Sequence, residues 1–297
     1  MFRKFLIHCF FNLFSKTIIP KLILRALNNK KVNFYNKKMD GLDNNRFFVK
    51  FCGKLARYYN KNQIYFEKKF LFKKQFKMIL ELSEFTQNGY YFSFPHNGLT
   101  SLMLASKKNV FVDVGSNVGI FSLIGSQVFK NVHSFEPMKQ NFLNLQNNIK
   151  INNIKNIKAY NCALGSKSEY GQIVLNKYNS GGSKVKKITK KDENSIKIFN
   201  LDKLKIKNVS LIKIDVEGSE LDVLKGSKNT IKFFSPTIFV EVSSKLTNIK
   251  NISSFLGEDY KIFSVVKYKN KIPNDMIFVH KKILDNLKIF NFFSFNI

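Results

Sequence analysis

The chain has 297 residues and a net charge of +30, with 50 Lys and Arg set against 20 Asp and Glu. That length buries a large core, which excludes a disordered segment or a small disulfide scaffold and implies one substantial domain with an extension, or two small ones. The charge alone would suggest nucleic acid or an anionic membrane as partner, yet Arg occurs only at 3, 25, 46 and 57 and Trp is absent. Arg is the side chain suited to bidentate phosphate and guanine recognition, so a Lys-, Asn-, Ile- and Phe-rich chain reads as a solvated surface, and nucleic acid is not the expected partner.

Residues 1–108 carry 21 basic and 5 acidic side chains and only four glycines. Mixed apolar and Lys-rich stretches such as Phe66 to Leu82 read as helical, so the first 108 residues are expected to form a basic, aromatic-rich, mostly helical N-terminal extension. Residues 5–14 are apolar and flanked by Arg3, Lys4 and Lys16. No small-residue cleavage pattern follows, and Thr17-Ile18-Ile19-Pro20 continues apolar, which argues against a signal peptide. Residues 1–30 offer a peripheral membrane contact through a basic-flanked interfacial helix, with packing against the protein's own domain as the alternative. No apolar run reaches the roughly 20 residues that span a bilayer. Cys9, Cys52 and Cys162 are scattered, without a C-x-x-C pair, so neither zinc nor a disulfide framework is indicated and a cytoplasmic setting is expected.

From 109 to 297 the pattern changes. Nine of the 14 glycines fall between 115 and 226, and apolar runs alternate with helical spacing: strand 109–114, helix 118–129, strand 131–135, helix 138–150, strand 157–161. After a hairpin expected over Gly171 to Lys187 and a Lys-rich connector to Asn194, the alternation resumes with strand 209–215, helix 219–228, strand 236–242, helix 246–256 and strands near 260–267 and 275–280. This order predicts an α/β fold, a doubly wound, mostly parallel sheet with helices on both faces. The last two strands have no helix between them, so the final one is expected to run antiparallel. Residues 109–297 therefore form the second predicted domain.

The most informative stretch is Phe111-Val112-Asp113-Val114-Gly115-Ser116-Asn117-Val118-Gly119, where a buried apolar run ends in a carboxylate and two glycines. Gly115 permits a positive φ and close approach of a ligand, and the amides that open the following helix are unpaired donors. Asp113 closes the first strand of the series, Glu136 the second, Asp215 and Glu217 the fourth and Glu241 the fifth. Open α/β sheets bind ligands at the carboxyl ends of their strands, so these acids are expected along one crevice. Such a rim suits a cationic ligand rich in hydroxyls, and S-adenosylmethionine has a sulfonium, an ammonium and a ribose diol. Glu136 lies about 20 residues past the glycine turn, where an acid reaches ribose hydroxyls; it also suits a helix start ahead of Pro137. The Gly115-x-x-x-Gly119 spacing is not the G-x-G-x-x-G of dinucleotide folds, and no G-K-[ST] ends the turn.

The segments Val112 to Gly119, Phe135-Glu136-Pro137, Asn200-Leu201-Asp202-Lys203-Leu204 and Ile212-Lys213-Ile214-Asp215-Val216-Glu217-Gly218-Ser219-Glu220, followed by Val223-Leu224-Lys225-Gly226, resemble FkbM-type S-adenosylmethionine-dependent methyltransferases in order and spacing. The resemblance covers about residues 109–280. It implies a class I methyltransferase, Rossmann-like fold with a seven-stranded sheet whose last strand is antiparallel, and O-methylation of a sugar, glycan or other small-molecule hydroxyl. By position it places Asp113 and Gly115 beside the methionine moiety, Ser116, Asn117 and Gly119 in the loop, Glu136 on the ribose and Ala163 near the adenine. Ser116 stands where the family often has Ala.

Methyl transfer from a sulfonium is an in-line displacement that requires positioning and removal of the acceptor proton. Asp215 and Glu217 lead as base candidates, with Glu241 next and His96 fourth; capping and cofactor-binding roles are their alternatives. The three acids could also hold Mg²⁺, though nothing in the sequence requires it. Two competing functions remain at this point: RNA methylation, suggested by the charge but not by the Asp215-Val216-Glu217-Gly218 turn, and a catalytically inactive membrane-peripheral adaptor.

Overall fold

A computed structural model describes residues 65–81, 84–92, 97–176, 180–242, 246–264, 274–287 and 293–294. The proposed membrane-contact segment 1–30, Cys9, Cys52, His96 and residues 177–179 of the predicted hairpin lie outside the described residues, while Ser180–Gly182 at its expected tip form a single 3-10 turn.

The extension is not helical throughout. Strands β1 (Tyr65–Leu71) and β2 (Gln75–Glu81) form a two-stranded sheet over the stretch expected to be helical. Helix α1 (Phe85–Phe92) follows. The reason for the difference lies in β2 itself: Phe76, Met78 and Leu80 are buried while Gln75 and Lys77 are exposed, a period of two that a helix cannot satisfy. The chain divides into two compact units. The unit that carries the glycine loop begins ahead of helix α2 (Asn97–Ala105).

That unit is built on strands β3 (Val110–Val114), β4 (Asn131–Phe135), β5 (Ile157–Tyr160), β10 (Val209–Ile214), β11 (Thr237–Glu241), β12 (Tyr260–Ser264) and β13 (Asp275–His280). Their order across the sheet is β12-β13-β11-β10-β3-β4-β5, with the two-residue β14 (Phe293–Ser294) added beside β12. β5, β4, β3, β10 and β11 pair in parallel, and β13 runs antiparallel to both β11 and β12. The antiparallel last strand of the seven thus enters between β11 and β12. Every residue of β3 and β10 is buried, as expected of central strands covered on both faces. Val112, Ile212 and Ile238 lie in one core cluster with Val223, Leu224 and Ile249, and Phe111 stacks on Phe129 at 5.4 Å.

Helix α3 (Ile120–Ser126) starts two residues later than its apolar spacing suggests because Gly119, at φ 93°, stands in the left-handed region ahead of it, and it ends three residues earlier. Helix α4 (Lys139–Ile151) links β4 to β5. The expected helix 219–228 is two helices, α5 (Glu220–Lys225) and α6 (Lys228–Phe234). Asp202 separates them by accepting the backbone N–H groups of Asn229 and Thr230, both at 2.8 Å, and the Thr230 hydroxyl at 2.7 Å. A side chain on Gly226, between the two helices, would overlap the Gly165 carbonyl. Helix α7 (Leu246–Leu256) follows β11 at its expected bounds. The section between the halves is a second sheet: β7 (Glu169–Val174) pairs antiparallel with β8 (Lys184–Ile188), the expected hairpin, and with β9 (Ile196–Phe199), which in turn pairs with β6 (Ala163–Leu164). Among the described residues no helix is long and apolar enough to cross a membrane.

Candidate active site

Register places the chemistry. Asp113 on β3 is paired with Lys213 on β10, Ile214 with Val114 and Val240, and Glu241 on β11 with Asp275 on β13. The strand ends therefore bring Asp113, Asp215, Glu241 and Asp275 to one edge of the sheet. Glu136 follows directly on β4.

The loop after β3 reverses tightly over the neighbouring strand ends. Gly115 and Ser116 donate their backbone N–H groups to the Phe135 carbonyl at 3.0 and 3.1 Å, and Gly119 donates to Ser116 O at 2.9 Å. Gly115 has φ 75°, and a Cβ there would overlap the Asp215 carbonyl. Asn117, at φ 51°, donates its backbone N–H to Glu136 Oε2 at 2.8 Å and accepts from the Val118 N–H through Oδ1 at 2.8 Å. Asn is among the few non-glycine residues that tolerate this conformation.

The acids differ sharply in how far they are buried. Asp113, expected to flank a ligand, is 0% exposed: Ser122 Oγ donates to Oδ2 at 2.5 Å, itself accepting from Ser134 Oγ at 2.8 Å, and Lys213 Nζ lies 3.3 Å from Oδ1. Its side chain is part of the sheet's buried ionic core. Glu136 is 5% exposed and accepts the Asn117 and Met138 backbone N–H groups, the latter at 3.0 Å. Burial pushes its carboxyl up to about 7, against the pull of those hydrogen bonds and of Lys213. Asp215 is half-buried, with a side chain 27% exposed and Oδ2 3.3 Å from Lys213 Nζ. Glu241 is pushed up to about 7 by burial and by the like charges of Asp215 and Asp275, Lys213 opposing. Glu217 sits exposed on the turn at φ 51°; partial burial and Asp215 raise its carboxyl above the usual range. Ala163 is buried on β6, next to the buried thiol Cys162.

Lys213 was not among the residues read from the sequence. It is 3% exposed, donates to the Gly115 carbonyl at 3.0 Å, and lies 5.5 Å from the Phe121 ring centre. Asp275 was missed as well. The only sequence signal for Lys213 is a charge interrupting an apolar strand, which a Lys-rich chain conceals. Among the described residues no group of three His, Cys, Asp or Glu side chains is placed to hold a metal ion.

The strand order with its antiparallel insertion, the glycine loop after the first parallel strand and the acid after the second define the doubly wound α/β methyltransferase class. The family model described as the methyltransferase FkbM domain matches residues 113–269. The chain belongs to that family. It is 27% identical over 141 residues to Methyltransferase 1 of Beauveria bassiana, covering 39% of this chain and 57% of that protein. It is 28% identical over 162 residues to the hexuronic acid methyltransferase AglP of Haloferax volcanii, covering 52% of this chain and 64% of that protein. The matched region thus spans about three-fifths of the length of either relative. The crystal structure of methyltransferase FkbM from Methylobacillus flagellatus aligns over 59% of this chain and 44% of that one, at 20% identity and a TM-score of 0.44.

Proposed function

We propose that this chain transfers a methyl group from S-adenosylmethionine to a hydroxyl oxygen of a sugar or other small-molecule acceptor. The observation that carries the reading is the pairing of a strained glycine loop with half-buried acids at the same strand ends. The residues present suit the donor. Ser116 Oγ is buried without a hydrogen-bond partner, in the loop that would receive it, and Ser116 is only 4% exposed. A buried hydroxyl left unpaired is costly, and a bound polar ligand would satisfy it. Glu136 accepts one backbone N–H on each oxygen and a side-chain hydrogen bond from Asn141, which still leaves acceptor capacity on a carboxylate for a ribose hydroxyl. Asp215, with one oxygen on Lys213, is placed to receive an ammonium.

When bound, S-adenosylmethionine supplies an electrophilic methyl group on a sulfonium. The chain's own task is to hold the acceptor oxygen in line, about 3 Å from that carbon, and to take its proton. Glu241 suits the second task best. Its carboxyl is pushed up to about 7, so near neutral pH about half of it is the free base, while its raised basicity suits proton removal. Asp215, held by Lys213, orients the donor. A sugar acceptor is supported by the relative that methylates hexuronic acid.

The test is calorimetric titration of the folded protein with S-adenosylmethionine and S-adenosylhomocysteine, followed by labelled methyl transfer to oligosaccharides with and without uronic acids and to RNA. Binding of both ligands and label in the sugar fraction is expected. Absence of binding would sink the donor, and label confined to RNA would sink the acceptor.

A further inference from the structure

The geometry points to Lys213 as a positioning residue that shapes the site for the amino-acid tail of the donor, acting through Asp215 and the Gly115 carbonyl. This inference rests on the donor proposed above. A lysine at the centre of a parallel sheet is expensive, because its charge loses water and must be repaid by well-placed partners. Three of its partners lie on β3 and at the ends of β3 and β10. The ammonium nitrogen lies 3.3 Å from Asp113 Oδ1, 3.3 Å from Asp215 Oδ2 and 3.0 Å from the Gly115 oxygen.

These contacts do different things. Asp113 lies wholly inside, pinned by Ser122, and supplies the counter-charge that makes a buried ammonium tolerable. The Gly115 carbonyl is held down toward β10, which fixes the strained turn. Asp215 is the partner that reaches the surface: one oxygen is tied to Lys213 while the side chain stays 27% exposed. Lys213 thus converts a mobile acid at a strand end into a carboxylate of fixed direction. An ammonium is the group such a carboxylate recognises, by a charge-assisted hydrogen bond. The nucleoside and the thioether that S-adenosylhomocysteine shares with 5′-methylthioadenosine carry no ammonium, so they should not sense the device.

The experiment titrates the full chain with S-adenosylhomocysteine and with 5′-methylthioadenosine, which keeps the nucleoside and thioether but lacks the amino-acid tail. Circular dichroism melts check folding. In Lys213→Met, affinity for S-adenosylhomocysteine should fall by about tenfold to a hundredfold, the range for losing a charged hydrogen bond, while methylthioadenosine changes by less than about threefold. Asp215→Asn keeps size and leaves the buried Asp113 pair intact, and should show the same selective loss. A role that is only structural would weaken both ligands alike. Equal weakening, or no change, in folded Lys213→Met overturns the inference. If that variant does not fold, Asp215→Asn decides: an unchanged preference for the tailed ligand overturns it. Failure of the unsubstituted protein to bind either ligand removes the donor itself, whereas binding with unaltered preference in the variants removes only the role of Lys213.

Discussion

Replacing Gly115 by alanine tests the loop on which the site depends. The residue sits at φ 75°, where an L side chain costs about 1–2 kcal/mol. Gly218→Ala supplies the control: it has φ 103° but an added Cβ meets nothing within 4 Å, so it should lose only that conformational term. At Gly115 the Cβ would overlap the Asp215 carbonyl, a backbone atom that cannot swing aside. Relief requires the β3 and β10 ends to part. That movement stretches the Lys213 bond to the Gly115 carbonyl, now 3.0 Å, and the Asp215 N–H bond to Val114 O, now 3.1 Å. At about 1 kcal/mol each, the two bonds bring the total to about 3–4 kcal/mol. In a domain of this size that lowers the melting temperature by about 6–16 °C, against about 2–8 °C for the control. Calorimetric melts of both variants at one pH measure the difference, and S-adenosylhomocysteine affinity should fall in Gly115→Ala. If the two variants melt together, the contact with Asp215 does not set the loop, and the argument fails.

Three further outcomes are expected. Glu136 titrates near 4.5 when unfolded and at about 7 when folded, so between these values the folded chain holds more protons and stability falls as pH rises; Glu136→Gln should flatten the decline in melting temperature between pH 5 and 8, with Glu241 retaining part of it, and a slope as steep as in the unsubstituted protein would contradict this. Methyl transfer should rise with pH through about 7 as Glu241 loses its proton, and Glu241→Gln should reduce kcat by about 10²–10⁴-fold with donor affinity little changed; a variant that keeps both rate and pH profile would exclude Glu241 as base. Asp202→Ala uncaps α6 and should cost about 1–2 kcal/mol by denaturant titration while S-adenosylhomocysteine binding is unchanged, a result that would separate this motif from the chemistry.

Much of the sheet was legible because its central strands are buried on both faces and so appear as unbroken apolar runs; Val110–Val114 and Val209–Ile214 fall within a residue of their expected bounds. Asn131–Phe135 and Leu246–Leu256 have the expected bounds. The strands of the inserted sheet were not legible apart from its hairpin. β6 has two residues, and β9, four residues long, lies outside the strand–helix alternation that marked β5; their pairing is set by the hairpin between them. β2 carried an alternating signal, but the Lys-rich stretch around it, with Lys68, Lys69, Lys73, Lys74 and Lys77, resembled a helical polar face. The break at Gly226 had no local breaker stronger than one glycine. It follows from Asp202, distant in sequence, whose carboxylate starts a new helix there.

The strand-end acids show why position was easier to read than charge. All of them follow or end strands as expected, yet the idea of a uniformly negative lip counted side chains without their partners. Asp113 faces inward and is compensated by Lys213, whose field also lowers Glu136 and Glu241 against the rise that burial imposes. A lysine is the least informative residue in a chain with 50 basic side chains, and only its register opposite Asp113 distinguishes this one. The consequence is chemical. Without a buried cation, adjacent carboxylates at Asp113 and Asp215 would repel each other in a medium that screens poorly. With it, Asp215 is fixed by an ion pair at the sheet edge while Glu241, farther along the same edge and facing Asp275, carries the raised carboxyl that the proposed proton removal would use. One buried charge thus lets neighbouring acids at the same sheet edge take different roles.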